Sequence, residues 1–542
     1  MILAVSFAMA LFICSALVPM MMRLAPALGL VDLPDQRKVH ENPIPRAGGV
    51  AIVLAFFIPV LVWYQGGEAL WSLLLGAAII ALFGFLDDRH NLAYQWKFAA
   101  QFLAVIVFLA GDISITKTPF LGLGDLAPWL CYPLIALFIL GVTNAVNLSD
   151  GLDGLAAGAS LLSLGFIALI AYTITEYGIA LLAVTTMGAL TGFLRFNTHP
   201  ASIFMGDTGS QFLGFMTASL AILVTQSELT PVSPILAVLI VGLPILDTLM
   251  VMALRLRSRV SPFKPDKRHM HHQLMAAGLR HYQAVAAIYL LNVILLVLAY
   301  YLRYSMDWIV FAAYLVFGLS VLFGLGFARH SDFAQRRRAA IAKKTERRNP
   351  FFRRLGWFHK RGSVIIQLLL GVTCVAFVSV GSPDDFGFAT ILIACGMIVT
   401  LIWWFRFPDS ALLSRAVAYA ACVCAIYVGV YERIIDVPAW RQLALIDVFL
   451  GVLVIALALA IRTTRKEQFR LDNQDLLVLI MLFVAAVLAG GGADNEAVAR
   501  AMVRLVIVLY AAEFVISRAG SNRVFGSFCI LIWGILALKL LL

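Results

Sequence analysis

The sequence predicts an all-α protein, a polytopic bundle of membrane helices, and two observations carry that prediction. Of its 542 residues, 62% are hydrophobic and only 13% are charged, whereas soluble proteins carry about a quarter charged residues. Apolar runs recur along the chain at the roughly 20 residues that a helix needs to cross a ~30 Å hydrocarbon core. The alternating strands of an outer-membrane barrel are not indicated by the pattern. Helices are therefore expected throughout.

Eleven helices are predicted in the first part of the chain, with bounds set by the length of each apolar run. The first run begins at Met1 without a basic leader or a small-residue cleavage site. It is therefore expected to be a membrane helix and not a removable signal peptide. The predicted bounds are 2–24, 47–64, 69–86, 97–111, 128–146, 154–173, 178–196, 209–226, 232–254, 283–301 and 307–327.

A strongly basic segment separates these helices from about seven further apolar spans. It reads RHSDFAQRRRAAIAKKTERRNPFFRRLGWFHKR. The chain is thus predicted to contain a membrane-embedded domain at 1–327, a basic linker at 328–362 and an additional transmembrane domain at 363–542. Basic segments stay on the cytoplasmic side of the membrane. The loops after predicted helices 1, 3, 5, 7 and 9 are therefore expected at the cytoplasmic face, and they hold most of the unusual polar residues.

Three aspartates lie where predicted helices meet these loops. Asp87 and Asp88 end the third helix in GFLDDRHNL, and Asp207 precedes the eighth in FMGDTGS. Ionised groups at the edge of an apolar span are costly without partners, although adjacent loop carboxylates are often only solvated. An aspartate at a helix start is also often only an N-cap. That helix start would equally offer free N–H groups to an anion.

The segment TNAVNLSDGLDGLAAG after the fifth helix carries two amides and two carboxylates. Asn144, Asn147, Asp150 and Asp153 are three residues apart, so they would share one face if the segment is helical. A turn or a cap could explain any one of them, but hardly all four. Carboxylates and amides of this kind suit a divalent cation beside a phosphorylated substrate, since Mg²⁺ prefers oxygen ligands.

A cationic, histidine-rich segment, SPFKPDKRHMHHQL, follows the ninth helix and is expected to be a surface loop. A metal site, a phosphate site and a membrane-anchoring loop are all open readings. Zinc would favour histidine with cysteine, but no cysteine accompanies the histidines, and the neighbouring cations would repel a metal. Phosphate or sugar recognition is favoured for Lys267, Arg268, His269, His271 and His272.

Five segments in this order resemble the polyprenyl-phosphate N-acetylhexosamine-1-phosphate transferases. They are DQRKVHENPIPRAGG, FGFLDD, NAVNLSDGLDGLAAG, FMGDTGS and DKRHMHH. The resemblance covers the first 300 or so residues and implies that 1–327 is a sugar-1-phosphate transferase domain. Residues 363–542 have no counterpart in it, and their role stays open.

The resemblance implies transfer of an N-acetylhexosamine 1-phosphate, chiefly N-acetylglucosamine 1-phosphate, from a UDP-sugar to undecaprenyl phosphate, with release of UMP. This would be the first membrane step of a cell-surface polysaccharide pathway such as O-antigen synthesis. It implies Mg²⁺ as cofactor, with Mn²⁺ as a substitute, in a multi-pass protein of the bacterial cytoplasmic membrane whose active site faces the cytoplasm. The implied roles are catalysis by Asp87 and Asp88; metal binding by Asp207 and Asn147; donor binding by Asn144, Asp150, Asp153, Lys267 and Arg268; and sugar-phosphate recognition by His269, His271 and His272.

The His-x-His-His pattern resembles the N-acetylglucosamine branch, whereas the phospho-N-acetylmuramoyl-pentapeptide branch has three consecutive histidines. That second branch, other N-acetylated UDP-hexosamines and a lipid-linked-sugar transporter remain alternatives. A transporter should show an internal repeat and polar residues at mid-membrane, and neither is indicated here. Single displacement and a covalent aspartyl intermediate both remain open. Membrane lipids, a second copy of the chain and a downstream glycosyltransferase are the expected partners; nucleic acid is not.

Overall fold

The computed structural model describes most of the first 330 residues and short parts of the rest. The described residues are 2–32, 43–64, 67–111, 119–120, 128–229, 231–259, 268–330, 365–375, 450–456 and 529–535, with single positions at 400, 421, 504, 507, 508 and 511. The chain divides into two compact units, Met1–Lys343 with Asp472–Met481, and Lys344–Leu471 with Leu482–Leu542. The predicted linker beyond residue 330, and most of the predicted spans that follow it, lie outside the described residues.

In the first unit the described residues form helices joined by short connections and one small two-stranded sheet. Eight of the described helices are long and apolar enough to cross a membrane, which confirms the prediction of an all-α polytopic membrane protein. The elements are α1 Ile2–Leu28, β1 Val31–Asp32, β2 Ile44–Pro45, α2 Gly48–Trp63, α3 Glu68–His90, α4 Tyr94–Leu109, α5 Pro128–Ser149, α6 Leu155–Thr173, α7 Tyr177–Asn197, α8 Gly206–Gln226, α9 Leu236–Ile240, α10 Gly242–Arg257, α11 Met270–Ala276, α12 His281–Leu302 and α13 Asp307–His330. The two strands are antiparallel, with Val31 opposite Pro45.

The predicted helix at 232–254 is wrong as a single element, because the chain breaks at Val241 between α9 and α10. The break frees carbonyl groups that an apolar setting must satisfy. The Ser163 hydroxyl donates to the Ile240 carbonyl at 2.7 Å, and the Tyr314 hydroxyl donates to the Gly242 carbonyl at 2.8 Å. Since these partners come from α6 and α13, the continuous apolar run gave no local sign of the break.

Helix α8 is the buried centre of this unit. Its residues from Thr208 to Gln226 are buried, and α2, α3, α5 and α6 pack around it. Glycines permit the close crossings. A Cβ on Gly84 of α3 would lie 2.7 Å from the Thr208 Cα, and a Cβ on Gly214 of α8 would lie 2.6 Å from the Thr143 Cα. Neighbouring helices therefore fix α8, and with it the position of Asp207 in its first turn.

In the second unit the described residues include a short apolar helix, Ile365–Val375, and helical segments at 450–456 and 529–535. Arg504, an ionisable residue in this apolar part of the chain, is buried. Asp447 and Glu513, two acids that lie within apolar runs of the same part, are outside the described residues.

Candidate active site

Three helix ends bring two carboxylates to one ammonium group. Asp87 lies in the last turn of α3, Lys97 in the first turn of α4 and Asp207 in the first turn of α8. The Lys97 Nζ lies 2.9 Å from an Asp207 carboxylate oxygen and also forms an ion pair with the Asp87 carboxylate. Asp87 also accepts a hydrogen bond from the Leu92 N–H at 2.8 Å. One cation thus balances two acids that are 120 residues apart in the sequence.

Asp88 has a different set of partners from its neighbour Asp87. One carboxylate oxygen accepts the Asp207 backbone N–H at 2.9 Å. The other accepts the Thr208 N–H at 2.9 Å and the Thr208 hydroxyl at 2.6 Å. These N–H groups belong to the first turn of α8, where backbone N–H groups have no partners within their own helix. The helix dipole also favours a carboxylate at this position. Asp88 therefore anchors the helix that presents Asp207.

The glycine of the FMGDTGS segment has a direct structural reason. Gly206 has φ +68°, a conformation that side chains rarely adopt, and a Cβ there would lie 2.5 and 2.7 Å from the Asp88 carboxylate oxygens. A larger residue would therefore separate Asp88 from the start of α8.

A chain of buried amides extends from Asp207 to Asn144. The Gln211 amide donates to Asp207 at 3.4 Å, and the Gln101 amide donates to the Gln211 side-chain oxygen at 3.0 Å. The Asn144 amide in turn donates to the Gln101 oxygen at 2.8 Å. Asn147, one turn further along α5, has its side-chain oxygen 3.1 Å from the Ser210 hydroxyl. Asn144 therefore contacts Asp207 only through intervening side chains in the structure.

The four polar residues after the fifth span do not share one helical face. Helix α5 ends at Ser149, so Asn144 and Asn147 are helical, while Asp150 and Asp153 lie in the loop before α6. Burial, followed by the charges of Asp207, Asp153 and Asp88, raises the pKa of Asp150 to about 7. Asp150 is therefore close enough to the carboxylates at α3 and α8 to be influenced by them.

Asp153 lies in a cluster with two histidines that the sequence did not single out. One Asp153 carboxylate oxygen is 2.7 Å from His199 Nδ1 and accepts the Ala201 N–H at 3.1 Å. The Asp153 backbone N–H donates to His281 Nε2 at 3.2 Å, and the two imidazole rings stack 4.0 Å apart. The three side chains are close enough to hold a metal ion, although their ligand atoms already bind one another.

The expectation of a surface loop is wrong for the described part of the histidine segment, 268–274, because helix α11 begins there and packs on α12 and α13. His269 is only 6% exposed and His271 only 3%. The His271 ring lies against Gly151, where a Cβ would overlap the imidazole. Burial, and then the neighbouring His272, lower the pKa of His271 to about 3. His271 is therefore a neutral, enclosed side chain that joins α11 to the Asp150–Asp153 loop.

Of the two cations predicted to bind the donor, Arg268 and Lys267, the structure describes only Arg268. Arg268 donates to the Ser258 hydroxyl at 2.9 Å and to the Leu254 carbonyl at 3.4 Å, at the end of α10. These contacts seat the start of α11 on α10. Lys267 lies outside the described residues.

Lys97 is the principal residue that the sequence prediction missed. It was assigned to the start of an apolar helix, where lysines commonly extend to the membrane surface. A charge in the first turn of an apolar helix, nine residues after an Asp-Asp pair, was the available signal. The histidines at 199 and 281 offered no such signal, because their proximity to Asp153 exists only in the folded chain.

Known proteins share this part of the chain. The description "Glycosyl transferase family 4" applies to a family that matches residues 70–225, from α3 to α8. A protein of Bacillus subtilis (strain 168), named "Probable undecaprenyl-phosphate N-acetylglucosaminyl 1-phosphate transferase", is 37% identical over 310 residues, which cover 57% of this chain and 87% of the relative. An Escherichia coli (strain K12) protein named "Undecaprenyl-phosphate alpha-N-acetylglucosaminyl 1-phosphate transferase" is 29% identical, covering 54% of this chain and 83% of its own. A Mycobacterium tuberculosis (strain ATCC 25618 / H37Rv) "Decaprenyl-phosphate N-acetylglucosaminephosphotransferase" is 33% identical, covering 49% and 74%.

Proposed function

The chain belongs to the family of polyprenyl-phosphate N-acetylglucosamine-1-phosphate transferases, and from that premise we propose its reaction. It transfers N-acetylglucosamine 1-phosphate from UDP-N-acetylglucosamine to undecaprenyl phosphate, giving undecaprenyl-diphosphate N-acetylglucosamine and UMP. The observation that carries the proposal is the Asp87–Lys97–Asp207 cluster at the ends of apolar helices. A lipid phosphate can reach such a place from the bilayer while a water-soluble nucleotide sugar reaches it from the aqueous side.

The residues of this cluster fit a magnesium ion. Carboxylate oxygens of Asp87 and Asp207 converge on one cationic position, now balanced by the Lys97 ammonium, and Mg²⁺ prefers such oxygen ligands together with phosphate and water. We assign Asp207 as its main protein ligand, with Asn147 beside the next turn of α8. Mn²⁺ takes similar oxygen ligands and would substitute. The ion would neutralise charge on the donor diphosphate and on the departing UMP.

The side chains of the cluster position and neutralise the two phosphates. The acceptor is a phosphomonoester whose second pKa lies near ~6, so it is largely ionised at neutral pH and needs little help from a base. With the ion bound to the carboxylates, the Lys97 ammonium would pair with a phosphate oxygen of the acceptor, and Asp88 would keep the start of α8 in place through its hydrogen bonds to Asp207 and Thr208. Most of the rate would then come from orientation and electrostatic stabilisation. We favour direct attack of the lipid phosphate over a covalent aspartyl intermediate.

The donor is assigned to the loops beside this cluster. Asp150 and Asp153 lie in the loop after α5, with Asn144 one helix turn before it, and the α11 histidines pack on that loop through His271 and Gly151. We assign this loop with Lys267 and Arg268 to nucleotide binding, and His269, His271 and His272 to recognition of the sugar phosphate. His269 and His271 are buried, so they would act mainly by shaping the surface that His272 completes.

We place the protein in the bacterial cytoplasmic membrane with the site facing the cytoplasm. The reason is the basic segment after residue 328, since lysine and arginine accumulate on the cytoplasmic side of membrane proteins. A second copy of the chain or a later glycosyltransferase would be its protein partner, and the pathway is assigned only as cell-surface polysaccharide synthesis.

A membrane assay with several donors tests the reaction. Membranes containing the protein receive Mg²⁺, undecaprenyl phosphate and one of three donors: UDP-N-acetylglucosamine, UDP-N-acetylgalactosamine or UDP-N-acetylmuramoyl-pentapeptide. UMP release and the mass of the lipid product are measured. We expect the first donor to give UMP and undecaprenyl-diphosphate N-acetylglucosamine. A product only from the pentapeptide donor, or no UMP from any donor, would contradict the proposal.

A further inference from the structure

A buried acid on α10 has partners that the reaction above does not account for. Asp247 is 6% exposed, and one of its carboxylate oxygens lies 2.9 Å from His269 Nδ1. Its other oxygen accepts the Met270 backbone N–H at 2.6 Å. Both contacts cross from α10 to the first turn of α11, 22 and 23 residues further along the chain. A single side chain therefore holds the histidine motif at two points.

We propose that Asp247 is the positioning residue of the histidine motif. It fixes the orientation of His269 and the start of α11, so that the motif is held against the donor loop at Gly151. The inference rests on the proposed function, because it assigns the motif to the donor. Asp247 itself touches neither the Asp87–Lys97–Asp207 cluster nor the donor loop in any described contact.

The chemistry of the pair defines what Asp247 controls. A carboxylate oxygen at 2.9 Å favours a proton on His269 Nδ1, and in the tautomer with that proton Nε2 is the acceptor. The hydrogen-bond partner of one ring nitrogen thus decides which of the two nitrogens carries the proton. The Met270 N–H is one of the first-turn donors of α11 that have no partner in their own helix. Asp247 thus sets both a tautomer and a helix start.

Other contacts also attach the start of α11 to α10. The Gln273 amide donates to the Arg268 carbonyl at 2.7 Å and lies 3.4 Å from the Met250 sulfur. Arg268 in turn donates to Ser258. With the Asp247 bonds removed, α11 keeps these contacts but loses the one that orients His269. The His271 ring would then no longer be held against Gly151 as closely.

The test is Asp247→Asn in the full-length protein, measured in the transfer assay with each substrate varied in turn. Asparagine keeps the size and can still accept from Met270, but its NH₂ group faces His269 and forces the other tautomer. We expect kcat/KM for UDP-N-acetylglucosamine to fall at least about tenfold, as is usual when a carboxylate that orients a functional histidine is replaced. The KM for undecaprenyl phosphate should stay unchanged, because the lipid phosphate is assigned to the Asp87–Lys97–Asp207 cluster, which Asp247 does not touch in any described contact.

Four further variants separate positioning from folding. Thr248→Val, on the next residue of α10, is the matched control, since the buried Thr248 hydroxyl has no hydrogen-bond partner among the described residues; it should leave both KM values unchanged. His269→Gln combined with Asp247→Asn should be no worse than His269→Gln alone, because Asp247 acts through His269. Melting temperatures are measured for all variants. Asp247→Glu keeps a carboxylate that can accept from His269, so its KM for UDP-N-acetylglucosamine should lie between those of the wild type and Asp247→Asn.

The outcomes are distinguishable from those for the proposed function. No transfer by the wild type contradicts the reaction itself. An active wild type with an unaffected Asp247→Asn contradicts the positioning role alone. The positioning role is also contradicted if the fold-loss in kcat/KM of the double variant equals the product of the two single fold-losses. It is contradicted as well if Asp247→Glu does not restore kcat/KM and the loss of activity across the variants parallels a fall in melting temperature. A donor-specific loss without further effect in the double variant supports the role.

Discussion

One methyl group placed where α3 crosses α8 should disable the site without touching a polar residue. Gly84 precedes Asp87 and Asp88 by one turn, and a Cβ there would lie 2.7 Å from the Thr208 Cα, 2.9 Å from the Thr208 N and 3.0 Å from the Asp207 carbonyl oxygen. Ordinary contact begins at 3.4 Å. Because the opposing atoms are backbone, no side-chain rotation relieves the overlap. In Gly84→Ala the helices must therefore separate locally by about 0.7 Å.

That separation is enough to break two of the three hydrogen bonds that anchor the start of α8 to Asp88. The two backbone hydrogen bonds from Asp207 and Thr208 to Asp88 are each 2.9 Å long, and an added 0.7 Å takes them to about 3.6 Å, outside hydrogen-bond range. Hydrogen bonds to a charged group contribute about 1.5–3 kcal/mol each. Losing both corresponds to at least about 3 kcal/mol, or more than a hundredfold in rate at ~1.4 kcal/mol per tenfold. Displacement of a reacting group by about 1 Å has an effect of the same order.

The assay is UMP release by membranes that contain equal amounts of each protein. Gly324→Ala is the matched control, since among the described residues no atom lies within 4 Å of its Cβ position on α13. We expect Gly84→Ala to lose more than about a hundredfold in kcat/KM and Gly324→Ala to equal the wild type. Gly84→Ala with half or more of the wild-type activity would show that the Asp88 anchor does not set the position of Asp207.

Three more predictions concern charge, pH and the second half of the chain. Lys97→Met should lower transfer more than about a hundredfold, because it leaves two carboxylates facing each other; substantial UMP release by this variant would contradict the role of the ammonium. His271 has its pKa lowered from 6.5 to about 3, so below pH 6.5 the unfolded chain binds a proton that the folded protein excludes. Stability should therefore fall by about 1.4 kcal/mol between pH 7.5 and 5.5, and a melting curve of His271→Asn with the same pH dependence as the wild type would refute this. Truncation after Lys343, which also removes Asp472–Met481, should leave an inserted protein that releases UMP; a monodisperse but inactive product would show that the removed residues help to build the site.

The sequence was most informative about the main apolar spans and the acids at their ends. The hydrophobic run length predicted the membrane helices. Asp87 and Asp207 meet at one place because one lies in the last turn of α3 and the other in the first turn of α8. The run length could not show the break at Val241, since the carbonyl groups there are satisfied by side chains from α6 and α13. Nor could the run length distinguish Asp87 from Asp88. Asp87 pairs with Lys97 of α4 and Asp88 with the start of α8, because the two side chains face different helices.

The histidine motif shows the same limit. Its cationic composition is typical of a surface loop, and the short helix α11 became evident only through its packing on α12 and α13. Burial of His271 depends on Gly151, which lies about 120 residues earlier. Nothing in the local sequence connects Asp247 with a motif 22 residues further along the chain, because its two contacts with His269 and Met270 are a property of the fold.

The account is tested most directly by following UMP release from UDP-N-acetylglucosamine and undecaprenyl phosphate across a Mg²⁺ titration, in the wild type and in Asp207→Asn. Asp307→Asn is the control, because Asp307 also lies in a first helical turn and accepts hydrogen bonds, from Ser233 and Phe120, at the start of α13. We predict Mg²⁺-dependent release by the wild type and the control, and none by Asp207→Asn at any concentration. Wild-type release that does not respond to Mg²⁺ or its removal, or near-normal turnover by Asp207→Asn, would contradict the assignment of Asp207 as the metal ligand of a transferase.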